Sequence, residues 1–242
     1  MSNFRCPVCS SGSTRQYFEV RNSPLLQNVL YETETEAKAA HTVTADFWVC
    51  ETCLCLFNPR FEEAAYSGQY NNDQSLSPVY RHHVEEVVSF LKGTLPKDAR
   101  ILEIGCGSGL VLKILHEDGY QVEGCDPAHA GGLPYVHREI WRSSEKAYDA
   151  VLFRHTLEGI AGFEALLGDA VRSLTGRGLA YLEFTNARHI VETGDTVALY
   201  HEYAQYFSEA GLGILFAKFG MYVHDIRHFF GGGHHWRPCP AR

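Results

Sequence analysis

Apolar positions along this chain of 242 residues follow two rhythms. From residue 100 onward, short apolar runs bounded by turn residues read as buried strands at 100–104, 121–125, 134–137, 148–153, 178–184 and 221–228. Between them, apolar residues recur every three to four positions, which predicts helices at 110–118, 163–174 and 208–219. A further helix starts at Ser77-Pro78, an N-cap followed by a first-turn proline, and presents Val84, Val87, Val88 and Leu91 on one face. Strands alternating with helices predict an α/β fold with a parallel, Rossmann-like sheet covered on both faces. Ligands of such sheets lie beyond the carboxyl ends of the strands, so the turns after each strand are the places to look for chemistry.

The first of those turns carries the strongest signal. Arg100-Ile-Leu-Glu-Ile-Gly-Cys-Gly-Ser-Gly109 is a strand ending in an acid two residues before a Gly-x-Gly-x-Gly turn that opens a helix. The next strand ends in Asp126-Pro127, about 20 residues on, the spacing at which an acid suits a pair of ribose hydroxyls. A dinucleotide turn would need glycine at position 110, which is Leu110. A nucleoside without a pyrophosphate fits better, and S-adenosylmethionine is the expected cofactor. Gly105, Cys106, Gly107 and Gly109 let backbone approach the nucleoside, Glu103 accepts from the methionine amino group, and Asp126 takes the ribose.

Eight cysteines change the picture of the amino-terminal third. Cys6-Pro-Val-Cys9 and Cys50-Glu-Thr-Cys53 are two C-x-x-C knuckles, which in a reducing compartment predict a structural, four-cysteine zinc site with no position open for substrate. Residues 1–60 form this zinc-ribbon-like unit, 61–77 a tyrosine-rich linker or lid containing Tyr66 and Tyr70, and 78–242 the sheet domain. The formal net charge of −8, without a Lys/Arg-rich run, argues against a nucleic-acid partner. No segment has the apolar length of a membrane span, and the first residues lack the apolar core of a signal peptide, so the cytoplasm is the expected location.

Methyl transfer to an alcohol or an acidic C–H needs an oriented acceptor and a base. Two clusters at strand ends offer one. Arg154-His155-Thr-Leu-Glu158 follows the fourth strand, with His155 as a base or a turn cap. Tyr200-His201-Glu202-Tyr203 packs four proton-exchanging or proton-accepting side chains before a helix, with a polar helix face as the alternative. His82-His83 reads as surface. Gly231-Gly-Gly-His-His235 reads as a flexible tail.

Taken together, these motifs resemble the class I S-adenosylmethionine-dependent methyltransferases that carry an amino-terminal zinc-binding domain. Their members include deoxysugar C-methyltransferases and the methyltransferases of polysaccharide and natural-product gene clusters. The resemblance rests on both cysteine knuckles, Leu102-Glu-Ile-Gly-Cys-Gly-Ser-Gly109, Asp126-Pro127, Arg154-His-Thr-Leu-Glu158, Glu183-Phe184 and Tyr200-His-Glu-Tyr203 through Tyr206-Phe-Ser208. It implies a seven-stranded sheet, Arg154 among the cofactor-binding residues, and catalytic roles for Tyr200, His201, Glu202 and the linker tyrosine Tyr70. Two positions depart from the pattern, Tyr203 and Gly159, where the family carries histidine. The last antiparallel strand is poorly formed in Trp236-Arg-Pro-Cys-Pro-Ala-Arg242. The expected function is methyl transfer to a sugar or natural-product intermediate. A non-catalytic partner protein with this fold and an RNA methyltransferase are the alternatives. Oligomeric state is not legible.

Overall fold

A computed structural model describes residues 4–63, 70, 73–143 and 145–229, and the backbone of 233–240. In chain order its elements are β1 (Thr14–Pro24), α1 (Glu34–Lys38), β2 (Thr42–Cys50), β3 (Leu56–Phe57), α2 (Pro78–Thr94), β4 (Arg100–Ile104) and α3 (Leu110–Glu117). There follow β5 (Gln121–Cys125), β6 (Val136–His137), β7 (Tyr148–Arg154), α4 (Phe163–Arg172), β8 (Leu174–Thr185) and α5 (Ala187–Thr193). The chain ends with β9 (Gln205–Tyr206), α6 (Glu209–Ala217), β10 (Met221–Phe229) and β11 (Gly233–Pro240).

Seven strands form one sheet in the order β10-β11-β8-β7-β4-β5-β6. Strands β6, β5, β4, β7 and β8 are parallel, and β11 inserts antiparallel between β8 and β10. The five-residue β4 lies inside the sheet, and residues 101–104 are buried because helices cover both faces. On one face α2 and α3 contribute Val84, Val87, Leu91, Val111 and Leu115. On the other, α4 and α6 contribute Phe163, Leu167, Leu212, Leu215 and Phe216. Helix α2 starts as its sequence predicts, with the Ser77 side chain accepting from the Tyr80 amide and proline in the first turn.

Two expectations are corrected. The poorly formed last strand and the glycine-histidine tail are replaced by β11 over 233–240, while residues 231, 232, 241 and 242 lie outside the described residues. Its pairing with β8 covers only 233–236. Pro238 and Pro240 sit where only β10 is paired alongside, so their missing N–H groups leave the β8 ladder intact. His83 is not a surface residue. It is buried on α2 against Glu183, while its neighbour His82 is exposed.

The amino-terminal unit has its own sheet, β1-β2-β3-β9, whose fourth strand comes from residues 205–206. Cys6, Val8, Cys50, Cys53 and Cys55 belong to the same buried cluster as Leu102, Phe153 and Leu212 of the large sheet. The seam is the start of α6. There the Ser208 side chain caps the Gly211 amide and donates to the Cys53 carbonyl, and the Ser208 amide donates to Cys55 Sγ. A Cβ on Gly211 would run into that Cys55 sulfur. Among the described residues no helix is long and apolar enough to cross a membrane.

Helix propensity alone favours alanine over glycine within α6 by about 1 kcal/mol. Overpacking against a buried sulfur costs about 1–3 kcal/mol and wins. Gly211→Ala is therefore expected to lower Tm, by about 2–4 °C per kcal/mol lost in a chain of this size. Calorimetry showing an unchanged or higher Tm would contradict the packing of the seam.

Candidate active site

The turn from β4 into α3 is shaped by its glycines. Gly105 and Gly107 have φ of 73° and 56°, the left-handed region that side chains disfavour. A Cβ on Gly105 would also collide with Thr156, in the turn after β7. Gly109, at φ 75°, is the residue from which α3 starts. The amides of Gly105 and Cys106 both donate to the Cys125 carbonyl at the end of β5, at 2.8 and 3.2 Å. Cys106 turns its side chain into the core with Leu112 and Val136, and burial pushes its thiol far up, away from the thiolate form. Asp126 accepts from the Gly107 amide at 2.9 Å and from Ala128 at 2.7 Å, which fixes its carboxylate beside the turn. Pro127 follows it, with its carbonyl accepting from Arg138 at 3.3 Å. His129 adds a tie the sequence reading missed, because its Nδ1 donates to the Gly107 carbonyl at 2.8 Å.

Beneath the turn lies a buried charge network. Arg154, the last residue of β7, places Nη1 3.5 Å from Glu103 Oε1 and Nε 3.0 Å from Glu183 Oε2. Glu183 also accepts from Tyr181 at 2.8 Å and meets His83 Nε2 at 3.3 Å. Burial pushes Glu103 up to about 7, with Arg154 opposing and the like charge of Glu183 adding to the rise. Its Oε2 is buried with no hydrogen-bond partner among the described residues. A buried carboxylate short of one donor is suited to a cationic ammonium.

His155 is held at φ 50° directly after β7, its amide donating to the Glu183 carbonyl at 2.9 Å. Its Nδ1 lies 3.4 Å from Oε1 of the fully buried Glu158, which also accepts from the Thr185 amide at 3.1 Å. The imidazole is part-exposed, 38% of its side chain, so desolvation opposes its charge only partly, and Glu158 outweighs that and holds the group above its ordinary 6.5. A pair of this kind orients the ring and favours imidazolium, a donor, over a free base.

The second cluster joins three distant segments. Glu202 is buried, with Oε1 accepting from the Gln27 amide at 2.8 Å and Oε2 accepting from the Tyr70 hydroxyl at 3.0 Å. Asn28 Nδ2 donates to the same Tyr70 oxygen at 3.2 Å. Burial pushes the Tyr70 phenol up to about 12, with the charges of Glu202 and Asp126 adding to the rise and the Asn28 bond opposing it. Burial likewise drives Tyr203 well up, helped by the charges of Glu158 and Tyr70, so it stays a neutral phenol. Tyr200 is tied elsewhere: its backbone brackets the Tyr206 hydroxyl and its ring meets Tyr203 edge-on at 5.4 Å. His201 Nε2 is buried without a hydrogen-bond partner among the described residues. The structure thus brings Glu202 to Tyr70 and His155 to Glu158, and no described contact joins Tyr200 or His201 to them. Tyr66 lies outside the described residues. Glu158 had a signal in sequence, its place one turn after His155, while Gln27 and Asn28 had none.

In the amino-terminal unit, Cys6 Sγ is 3.6 Å from Cys53 Sγ, and Cys9 Sγ is 3.5 Å from Cys50 Sγ. All four sulfurs lie within 4.8 Å of one another. A zinc ion with bonds of about 2.3 Å would span a tetrahedron of sulfurs about 3.8 Å apart, so the cluster is compatible with zinc.

Strand order, the inserted antiparallel strand and a glycine turn with an acid at the end of the next strand define the Rossmann-like class I methyltransferase architecture. A family model described as a methyltransferase domain matches residues 79–226, and the chain belongs to that family. The C-methyltransferase NovU of Streptomyces niveus is 24% identical across 91% of this chain and 56% of its own length. A ubiquinone biosynthesis O-methyltransferase of Rhizobium rhizogenes (strain K84 / ATCC BAA-868) is 26% identical across 50% of this chain and 57% of its own. The chain thus spans little more than half the length of these curated relatives. Among solved structures, magnesium protoporphyrin IX methyltransferase from Synechocystis PCC 6803 with bound SAH shares the fold. Its TM-score is 0.53 at 18% identity, over 67% of this chain and 84% of that one.

The His155–Glu158 pair has a pH signature. Because the folded midpoint lies above 6.5, its contribution to stability is complete below pH 6.5 and disappears as pH rises through that midpoint. An NMR titration of His155 is expected to centre above 6.5 and to move down in Glu158→Gln. An unmoved midpoint would show that Glu158 does not hold the ring.

Proposed function

We propose that this chain catalyses S-adenosylmethionine-dependent methyl transfer to a small-molecule acceptor, a sugar or natural-product intermediate. The observation that carries the reading is the pairing of the Asp126-anchored glycine turn with Glu103, whose Oε2 has no hydrogen-bond partner among the described residues, at the carboxyl ends of β4 and β5. Asp126 would take the ribose hydroxyls and Glu103 the amino group, with Arg154 holding Glu103 in place and contributing to the cofactor site. When bound, the cofactor supplies an activated methyl group. Family membership and the SAM- or SAH-bound structures that share the fold support this.

On the acceptor side, His155 as imidazolium would hold an acceptor oxygen, and Glu202 with Tyr70 would take a proton. Tyr200 and His201 would form the wall of the same turn. The neutral Tyr203 phenol, where the C-methyltransferases this chain resembles carry histidine, supports methylation of a hydroxyl over carbanion chemistry. The same residue motivates a second reading, a non-catalytic partner, in which SAH binds without turnover on any acceptor.

Calorimetry with S-adenosylhomocysteine should show saturable one-site binding that weakens as pH falls below 7, because Glu103 then becomes neutral. Glu103→Gln should lose about tenfold or more in affinity, about 1.4 kcal/mol, and flatten the pH dependence. Absence of binding by folded protein would end the reading.

For the amino-terminal unit, residues 1–60, we propose a structural zinc ion held by Cys6, Cys9, Cys50 and Cys53. Four protein ligands leave no open position for substrate. Elemental analysis should find one zinc per chain, and a strong chelator should lower Tm, since metal binding is linked to folding. Metal-free protein with an undiminished Tm would refute it.

A further inference from the structure

A residue outside the glycine turn grips it at its centre. Asp126-Pro-Ala-His129 is a four-residue turn in which the His129 amide donates to the Asp126 carbonyl at 3.2 Å and the Ala128 amide to Asp126 Oδ1 at 2.7 Å. Proline in its second position presets the backbone, and the aspartate side chain closes on its own turn. Two side chains are thereby aimed back at one residue. Asp126 Oδ2 accepts from the Gly107 amide at 2.9 Å, and His129 Nδ1 donates to the Gly107 carbonyl at 2.8 Å. Amide and carbonyl lie on the two sides of the Gly107 Cα. The pair therefore fixes both backbone torsions of a residue at φ 56°, which glycine is otherwise free to leave.

Packing does not account for the histidine. His129 is 4% exposed, and its Nε2 is buried without a hydrogen-bond partner among the described residues. Burying such a nitrogen is unfavourable, and an apolar side chain in the same place would avoid the cost. Gly107 is exposed, so water can satisfy its carbonyl if the histidine is removed. Stability gains little from this bond, whereas the turn gains a fixed peptide.

We propose that His129 is a positioning residue for the cofactor, whose Nδ1 locks Gly107 into the conformation the nucleoside meets before the nucleoside arrives. This rests on the methyltransferase reading above and assigns a role to a residue outside the motifs that carry that reading. Ordering a glycine peptide in advance removes part of the entropy cost of binding, so the clamp acts on affinity. Its chemistry is directional: a carbonyl can only accept, so Nδ1 carries the hydrogen. An asparagine amide nitrogen stands as many bonds from Cα as Nδ1, and a glutamine amide nitrogen as many as Nε2. Asparagine can take over the clamp, and glutamine cannot.

The test uses the full chain, with S-adenosylhomocysteine as the probe and Tm measured on every variant. His129→Leu should keep or raise Tm, because it removes the unsatisfied nitrogen, while affinity for S-adenosylhomocysteine falls about tenfold, the scale of one hydrogen bond. His129→Gln should lose affinity to a similar extent, and His129→Asn should bind within about twofold of wild type. In protein without the probe, the amide resonances of Gly107 and Ser108 should shift and broaden in His129→Leu and return toward their wild-type positions in His129→Asn. The resonance of Gly119, beyond the other end of α3, should stay in place. A lowered Tm in His129→Leu would make the histidine a packing residue and overturn the clamp. Undiminished affinity in that variant, or no rescue by asparagine, would overturn it as well, and each of these leaves the cofactor reading standing. Failure of folded wild type to bind S-adenosylhomocysteine would overturn the cofactor reading itself.

Discussion

A single buried guanidinium ties the site to the fold. Arg154 ends β7 between Glu103 of β4 and Glu183 of β8, and Glu183 in turn meets His83 on α2. Three neighbouring strands and the helix covering them are thereby set in one register at their carboxyl ends. Such a network contributes little net stability against an apolar replacement, yet removing one partner costs about 3–5 kcal/mol because a charge is left stranded. The carboxylates outnumber the guanidinium, and burial raises Glu103 to about 7, so the site is held ready for a cation. The constraint that fixes strand ends also creates the electrostatic demand that a cofactor amino group would meet.

Around that network, the two halves of the chain are one body of packing. The small sheet borrows β9 from the segment just before α6, and α6 begins against Cys53 and Cys55. Glu202 and Tyr203 lie in the turn that feeds β9, so the cysteine knuckles and the Glu202–Tyr70 pair are linked through the same short segment. A metal holding those knuckles would therefore stabilise the geometry of that turn as well.

Much of the sheet was legible because buried parallel strands are short apolar runs and their helices repeat with a period of 3.6. Strands β4 and β5 match the expected bounds, and β7 differs by one residue. The glycine turn was legible for a related reason, since glycine takes the φ of Gly105 without strain and leaves the room that Thr156 fills. β11 was not, because glycines, histidines and prolines carry no strand signal. It exists through backbone pairing on both flanks, which depends on β8 and β10 being there first. His83 was misread for the same kind of reason, as its burial is made acceptable by Glu183, 100 residues away.

From the sequence alone came the class of fold, the glycine turn, the cysteine quartet and a short list of proton-bearing side chains. These are local properties: periodicity, backbone conformation and ligand spacing are written within a few residues of one another. Tertiary structure decided which members of that list meet. It gave Tyr70 to Glu202 and Glu158 to His155, tied Tyr200 to Tyr206, and brought in Gln27 and Asn28 from a loop more than 170 residues from Glu202. Such partnerships come from closing the chain on itself, and hydrogen-bond direction exists only once both partners are in place.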